Sequence, residues 1–320
     1  MLKLGGYMPK TEIVFLEPVF KNMVWGGTKL GEVFGYDLPY ETTGECWGIS
    51  AHENGDCKIK NPEYKGTSLS QLWTEHRELF GNVKNDMFPL LIKTIDAADD
   101  LSIQVHPDDE YAKIYHPGSL GKTECWLVLD CDEDAQIVIG HNAKDSQEVE
   151  YLIENKLWDR FIRTIPIKKG DFFQIEPGCL HAIKKGTLIL ETQQNSDITF
   201  RVYDYDRLQN NKPRQLHIKE SIDCIKAPFK ENSSSPVSQK TEYGEHIHYV
   251  DCKYYSVDRY IIKGITQIER TAPFICVSVL SGSGSVNGSP VKAGDYFIIT
   301  SNCDRAEFEG DLDIVCSVAN

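Results

Sequence analysis

Residues Gly170–His181, GDFFQIEPGCLH, carry the reading of the fold. A glycine–aspartate turn feeds the aromatic run Phe172-Phe173-Gln174-Ile175, which reads as a strand, and Pro177-Gly178 then turns the chain sharply to Cys179-Leu180-His181. The pattern recurs as Gly294-Asp295-Tyr296-Phe297-Ile298-Ile299. Counted on from the glycine, the first copy reaches His181 and the second reaches Arg305. The repeat therefore predicts two β-barrels of one type, of which the N-terminal holds a site and the C-terminal lacks a metal-binding histidine.

Upstream, the stretch Leu101–Trp126 delivers further polar groups. Ile103-Gln104-Val105-His106 alternates as a short strand ended by Pro107, which sets Gln104 and His106 on one face. Asp108 to Glu110 supply helix-start chemistry, so a short helix is expected over Asp109–Tyr115. After Gly118 and Gly121 a second alternating run begins, with Lys122 and Glu124 on a shared face. An amide oxygen, an imidazole, a carboxylate and an ammonium are thus brought together, a pattern that fits a metal site with a cation beside it. On residue pattern alone, two half-buried strands with a polar solvent face are the better fit for Gln104-x-His106.

The chain has 320 residues and a net charge of −14, which argues against a general nucleic-acid binder or a polybasic membrane-surface protein. The start, MLKLGGYMPKTE, has no apolar signal core, and no later run is long enough to span a bilayer. Ten cysteines without CxxC pairing read as reduced thiols, which implies a cytoplasmic protein.

Short strands punctuated by Gly, Pro, Asn and Asp predict a mainly β fold: jelly-roll barrels with a few helices in or beside the N-terminal one. After a frayed start, Ile13–Lys21 reads as an edge strand because of Pro18, and Trp25-Gly26-Gly27 as a turn. Ser68–Phe80 and Lys144–Phe161 read as helices, and Phe88–Ala97 as an apolar strand broken by Lys93. Lys93 either snorkels to the surface or faces a polar pocket. Residues 1–230 are expected to form the catalytic barrel, 231–245 a linker, and 246–320 the C-terminal barrel. His52, His76, His116, His141 and His217 read as solvated. His246-x-His248 has metal-like spacing, but no nearby carboxylate pattern is visible, so it reads as structural.

Gly170–His181 resembles the second cupin motif, and Gln104-x-His106 with Glu124 the first, with Gln in place of the usual first His. The segments QVHPDDEYA, GKTECW, PGCLHAI and ETQQNSDITFR resemble, in order, type I mannose-6-phosphate isomerase in its short bacterial form. The resemblance implies a zinc-dependent aldose–ketose isomerase that interconverts mannose 6-phosphate and fructose 6-phosphate through an enediolate. Carried over by position, it implies one Zn2+ per chain on Gln104, His106, Glu124 and His181. It implies active-site roles for Lys122, Glu191, Asp197 and Arg201, with Glu191 the base on chemical grounds. Trp25 and Lys93 are expected to line the substrate site. A local Asp197–Arg201 salt bridge is the plain alternative for that pair. The implied partner is a small sugar phosphate, with monomer and dimer both open.

Competing readings are an isomerase of another sugar phosphate, a cupin iron oxygenase, and a paralogue that binds sugar phosphate without catalysis. The oxygenase fits poorly, because Gln/His/Glu/His is not the two-histidine, one-carboxylate triad. Retention of Lys122, Glu191, Asp197 and Arg201 together favours catalysis over binding alone.

Overall fold

In the computed structural model, which describes residues 10–209, 211–232 and 235–320, the repeated turn has the same geometry twice. Gly170 and Gly294 lie at φ +91° and +86°, the left-handed region that a side chain disfavours. Asp171 and Asp295 each accept, at 2.9 Å, the backbone N–H three residues upstream, on Lys168 and Lys292. Gly170 and Gly294 each donate at 2.9 Å to a neighbouring strand, at Val128 and Val279. One local chemistry thus starts the Phe172–Ile175 strand in the first half and the Tyr296–Ile299 strand in the second.

Among the described residues, three large sheets, with two small two-stranded ribbons, build the molecule. A six-stranded sheet runs Phe172–Ile175, Glu124–Cys131, Thr187–Gln194, Leu90–Ala97, Val19–Gly27 and Thr43–Ile49. A five-stranded sheet runs Ile162–Pro166, Gln136–His141, His181–Ile183, Ile103–Val105 and Phe200–Tyr203. Between them Trp25, Ile95, Trp126, Val128, Ile139, Ile175, Ile183 and Ile189 fill the first barrel. The outer face of the five-stranded sheet is covered by the Ser146–Glu154 helix through Val149, Leu152 and Ile153. Its N-cap, Asp145, accepts from Glu148 N–H at 2.8 Å, the expected helix start.

The third sheet has nine strands and curls around Ile262, Val277, Val279, Phe297, Phe308, Leu312 and Ile314. Its other face packs on the outer face of the six-stranded sheet, where Cys46, Leu90, Ile92, Cys125 and Leu127 meet Tyr255, Val257, Tyr296 and Val315. The six-stranded sheet is therefore buried on both faces.

Several local expectations are corrected. Pro18 does not mark an edge: it separates Ile13–Glu17 from Val19–Gly27, which belong to different sheets. Ile13–Glu17 sits between Tyr296–Ile299 and Lys58–Ile59 in the C-terminal sheet. Trp25-Gly26-Gly27 is the end of a strand rather than a turn, and Gly27 pairs with Thr43. The Ser68–Phe80 region breaks at His76 into Leu69–Glu75 and a short 3-10 turn, Arg77–Phe80. Lys144–Phe161 breaks around Lys156, whose φ of +54° is incompatible with a continuing right-handed helix. The 231–245 stretch contains the Val237–Thr241 strand, paired with Gly244–Asp251 as an outer hairpin. The frayed start falls largely on residues 1–9, outside those described. Among the described residues, no helix is long and apolar enough to cross a membrane.

Candidate active site

Strand alternation places the polar cluster inside the first barrel. Cys125, next to Glu124, faces the other way into the inter-sheet core, so Glu124 points inward. Gln104 pairs directly with His181 across adjacent strands. His106, Glu124 and His181 are 1%, 0% and 0% exposed, and each offers a ligand atom within 4.8 Å of the others. His106 Nε2 lies 3.1 Å from His181 Nε2, and the two rings stand 3.4 Å from Glu124 Oε2 and Oε1 respectively.

These residues fit a cation. His181 Nδ1 faces the Cys179 carbonyl at 2.9 Å, so its proton belongs there and Nε2 presents a lone pair inward. Glu124 Oε1 is buried with no hydrogen-bond donor. Two imidazole nitrogens and an orphaned carboxylate oxygen face one point and could hold a metal ion; contrary to the reading of the sequence, they do contain a two-histidine, one-carboxylate set, with Gln104 beside it. The Gln104 amide lies beside them, its Nε2 at 3.3 Å from His181 Nε2; turning the amide over presents its oxygen instead. Lys122 Nζ is 2.8 Å from Glu124 Oε2 and 3.1 Å from His106 Nε2. Burial, then Lys122, pushes the His106 pKa down to about 3, so the ring is neutral and ligand-competent. Burial works against ionisation of Glu124, but Lys122 and His106 hold its carboxyl well below the usual range.

Above this cluster opens a cavity of about 250 Å³. Trp25, Lys93, Gln104, Lys122, Glu191, Asp197 and Arg201 all line it, so the expected metal, catalytic and substrate residues lie either on its wall or in the cluster beneath. Lys93 faces the polar pocket: its Nζ is 3.1 Å from Glu191 and 3.8 Å from Glu45. Burial opposes its charge, yet Glu191 and Glu45 hold the ammonium above its ordinary pKa. Glu191 is 2% exposed, and its Oε1 accepts the Trp126 indole N–H at 3.0 Å. Burial, reinforced by Glu124, raises its pKa.

Asp197 and Arg201 do not form the local salt bridge: Asp197 accepts from Asn54 at 3.0 Å, and no Asp197–Arg201 ion pair occurs among the described residues. Arg201 Nε is buried with no hydrogen-bond acceptor. Burial lowers the pKa of Arg214, and the neighbouring Arg201 lowers it further. Arg201 and Arg214 both line the cavity, and Arg214 Nη1 donates to Asp204 Oδ1 at 3.2 Å.

Lys21, Glu45, Trp47, Asn54 and Arg214 also line the wall and were missed in the sequence. Glu45 and Trp47 were findable, since alternation through TGECWG puts both on one face; the loop residue Arg214 carries no such period. His141, expected in solvent, is 4% exposed, stacks on Phe161 and meets the Lys226 carbonyl at 3.0 Å.

Fold and cluster define the class: a two-barrel cupin with a candidate metal centre in the first barrel. Residues 13–136 match the family described as phosphomannose isomerase type I, catalytic domain, and residues 245–319 match the mannose-6-phosphate isomerase cupin domain. The mannose-6-phosphate isomerase ManA of Bacillus subtilis is 44% identical over 96% of this chain and 99% of its own length. Mannose-6-phosphate isomerase of Streptococcus mutans is 45% identical over 97% and 99% of the two chains. The crystal structure of a Bacillus subtilis mannose 6-phosphate isomerase superposes with a TM-score of 0.94 at 42% identity, covering 96% of this chain and all of that one. The chain belongs to the type I phosphomannose isomerase family.

Proposed function

We propose that this protein interconverts mannose 6-phosphate and fructose 6-phosphate with one Zn2+ held by Gln104, His106, Glu124 and His181. The observation that carries the reading is a buried carboxylate of raised pKa, Glu191, in a cavity that Arg201 and Arg214 also line and that reaches the metal-ligand cluster through Gln104. A zinc ion bound there would polarise the substrate's carbonyl and hydroxyl oxygens.

The chain's own groups divide the rest of the work. Glu191, its Oε1 fixed by the Trp126 indole, takes the proton from C2 of the aldose and returns it to C1, which converts aldehyde to ketone with no net loss of atoms. The accompanying hydroxyl proton moves from O2 to O1, and Lys122 is placed to hold it and to face the enediolate charge. Lys93 keeps Glu191 ionised between turnovers. Arg201 and Arg214 would hold the phosphate, whose oxygens accept the guanidinium hydrogens and offset the repulsion between the two cations. Trp25 and Asp197 bound the sugar between these ends. In this reading the first barrel, within 1–230, is catalytic and the C-terminal barrel of 246–320 is structural.

The test is isomerase turnover of mannose 6-phosphate on purified protein, after chelation and again after Zn2+ is restored. Activity should vanish and return. A folded, zinc-loaded protein without turnover would overturn the assignment.

A further inference from the structure

The His246-x-His248 pair has a carboxylate after all. Gly244–Asp251 runs antiparallel to Tyr255–Glu269, and His248 stands directly opposite Asp258. His246 Nε2 and His248 Nδ1 meet the same oxygen, Asp258 Oδ1, at 2.7 and 3.0 Å. The His246 ring is stacked on Tyr260 at 4.5 Å and 6°, which fixes its plane. Gln239 and Val237 of the outer hairpin stand opposite His246 and His248. All three groups are carried by paired strands rather than loops, and their side chains remain 33%, 41% and 24% exposed.

We propose that His246, His248 and Asp258 form a second metal site, for a divalent first-row transition ion of the kind that favours nitrogen and oxygen ligands, such as Zn2+ or Ni2+. Two residues apart on one strand, the imidazoles share a face, and the facing aspartate lies between them. Each ring now gives an N–H to one carboxylate oxygen. The two nitrogens flank the carboxylate oxygen and do not yet converge. An ion takes the place of the two N–H hydrogens, each proton passing to the ring's other nitrogen or to solvent, while the unstacked His248 and Asp258 turn to bring the three ligands together and water fills the remaining positions. The site lies on the C-terminal sheet, which contributes no residue to the catalytic cavity. When filled, it ties the outer hairpin to the Tyr255–Glu269 strand.

The test is a count of Zn2+ bound by chelator-stripped, full-length protein at micromolar concentration. The count is made for wild type, the double variant H246Q/H248Q, Asp258→Asn and His181→Ala. One ion fewer per chain in H246Q/H248Q and in Asp258→Asn than in wild type is expected, with isomerase turnover after zinc loading unchanged as the check on folding. An equal count in wild type and both variants overturns the proposal. The His181→Ala count reports on the catalytic centre separately, so failure of that centre leaves the difference between wild type and H246Q/H248Q intact.

Discussion

Glu191 and the arginines answer most directly to single substitutions. Replacing Glu191 by Gln keeps the shape and the indole contact but removes the base, so turnover should fall by about 10²–10⁴-fold with zinc content unchanged. A structural role for Glu191 would instead cost stability and leave turnover per folded molecule intact. The sign of its pH dependence follows from burial. The base form is the active one, and its pKa lies above the ordinary value of about 4.3, so the acid limb of kcat should fall at higher pH than a solvated carboxylate would give. Arg214→Ala should raise KM for mannose 6-phosphate tenfold or more, from the loss of about 1.5–3 kcal/mol in a charged hydrogen bond, with kcat less affected. Steady-state kinetics over a pH series check all three.

The strands explain what the sequence could and could not reveal. Alternation was enough to sort Glu124 inward from Cys125 outward, because that rule is local and both faces of the sheet are buried. The same rule paired His246 with His248, but the carboxylate between them stayed hidden. Asp258 reaches it only through the register of two antiparallel strands, which no local signal encodes. Pro18 was misread for a related reason: the partners of Ile13–Glu17 include a strand nearly the whole chain away. Turn chemistry was legible, as the matched Gly170 and Gly294 turns show. One element-scale consequence is testable at Gly48, on the Thr43–Ile49 strand. A Cβ there would lie 2.3 Å from the ring of Tyr296, a fully packed side chain. Gly48→Ala should therefore destabilise by about 1–3 kcal/mol, measurable by denaturant unfolding, while leaving the cavity residues in place.

At the scale of the whole molecule, the two barrels share a core. The outer face of the six-stranded sheet is covered by the C-terminal sheet through Tyr255, Val257, Tyr296 and Val315. A chain cut after residue 236 would expose that face and leave Ile13–Glu17 without its partner Tyr296–Ile299. It should be recovered in aggregates, and a soluble, active fragment would show the halves to be independent. The fold class was readable from repeated turns and short strands, whereas this mutual cover was not, since it depends on which faces meet in space.

The placement of Ile13–Glu17 also bears on how the protein is made. Synthesis runs from the N-terminus, so this strand leaves the ribosome long before its partner Tyr296–Ile299. The nine-stranded sheet cannot close until nearly all of the chain has emerged. Until then Ile13–Glu17 can pair with Lys58–Ile59 on one side only and leaves its other edge open, which makes that segment a natural client for a chaperone that captures nascent chains.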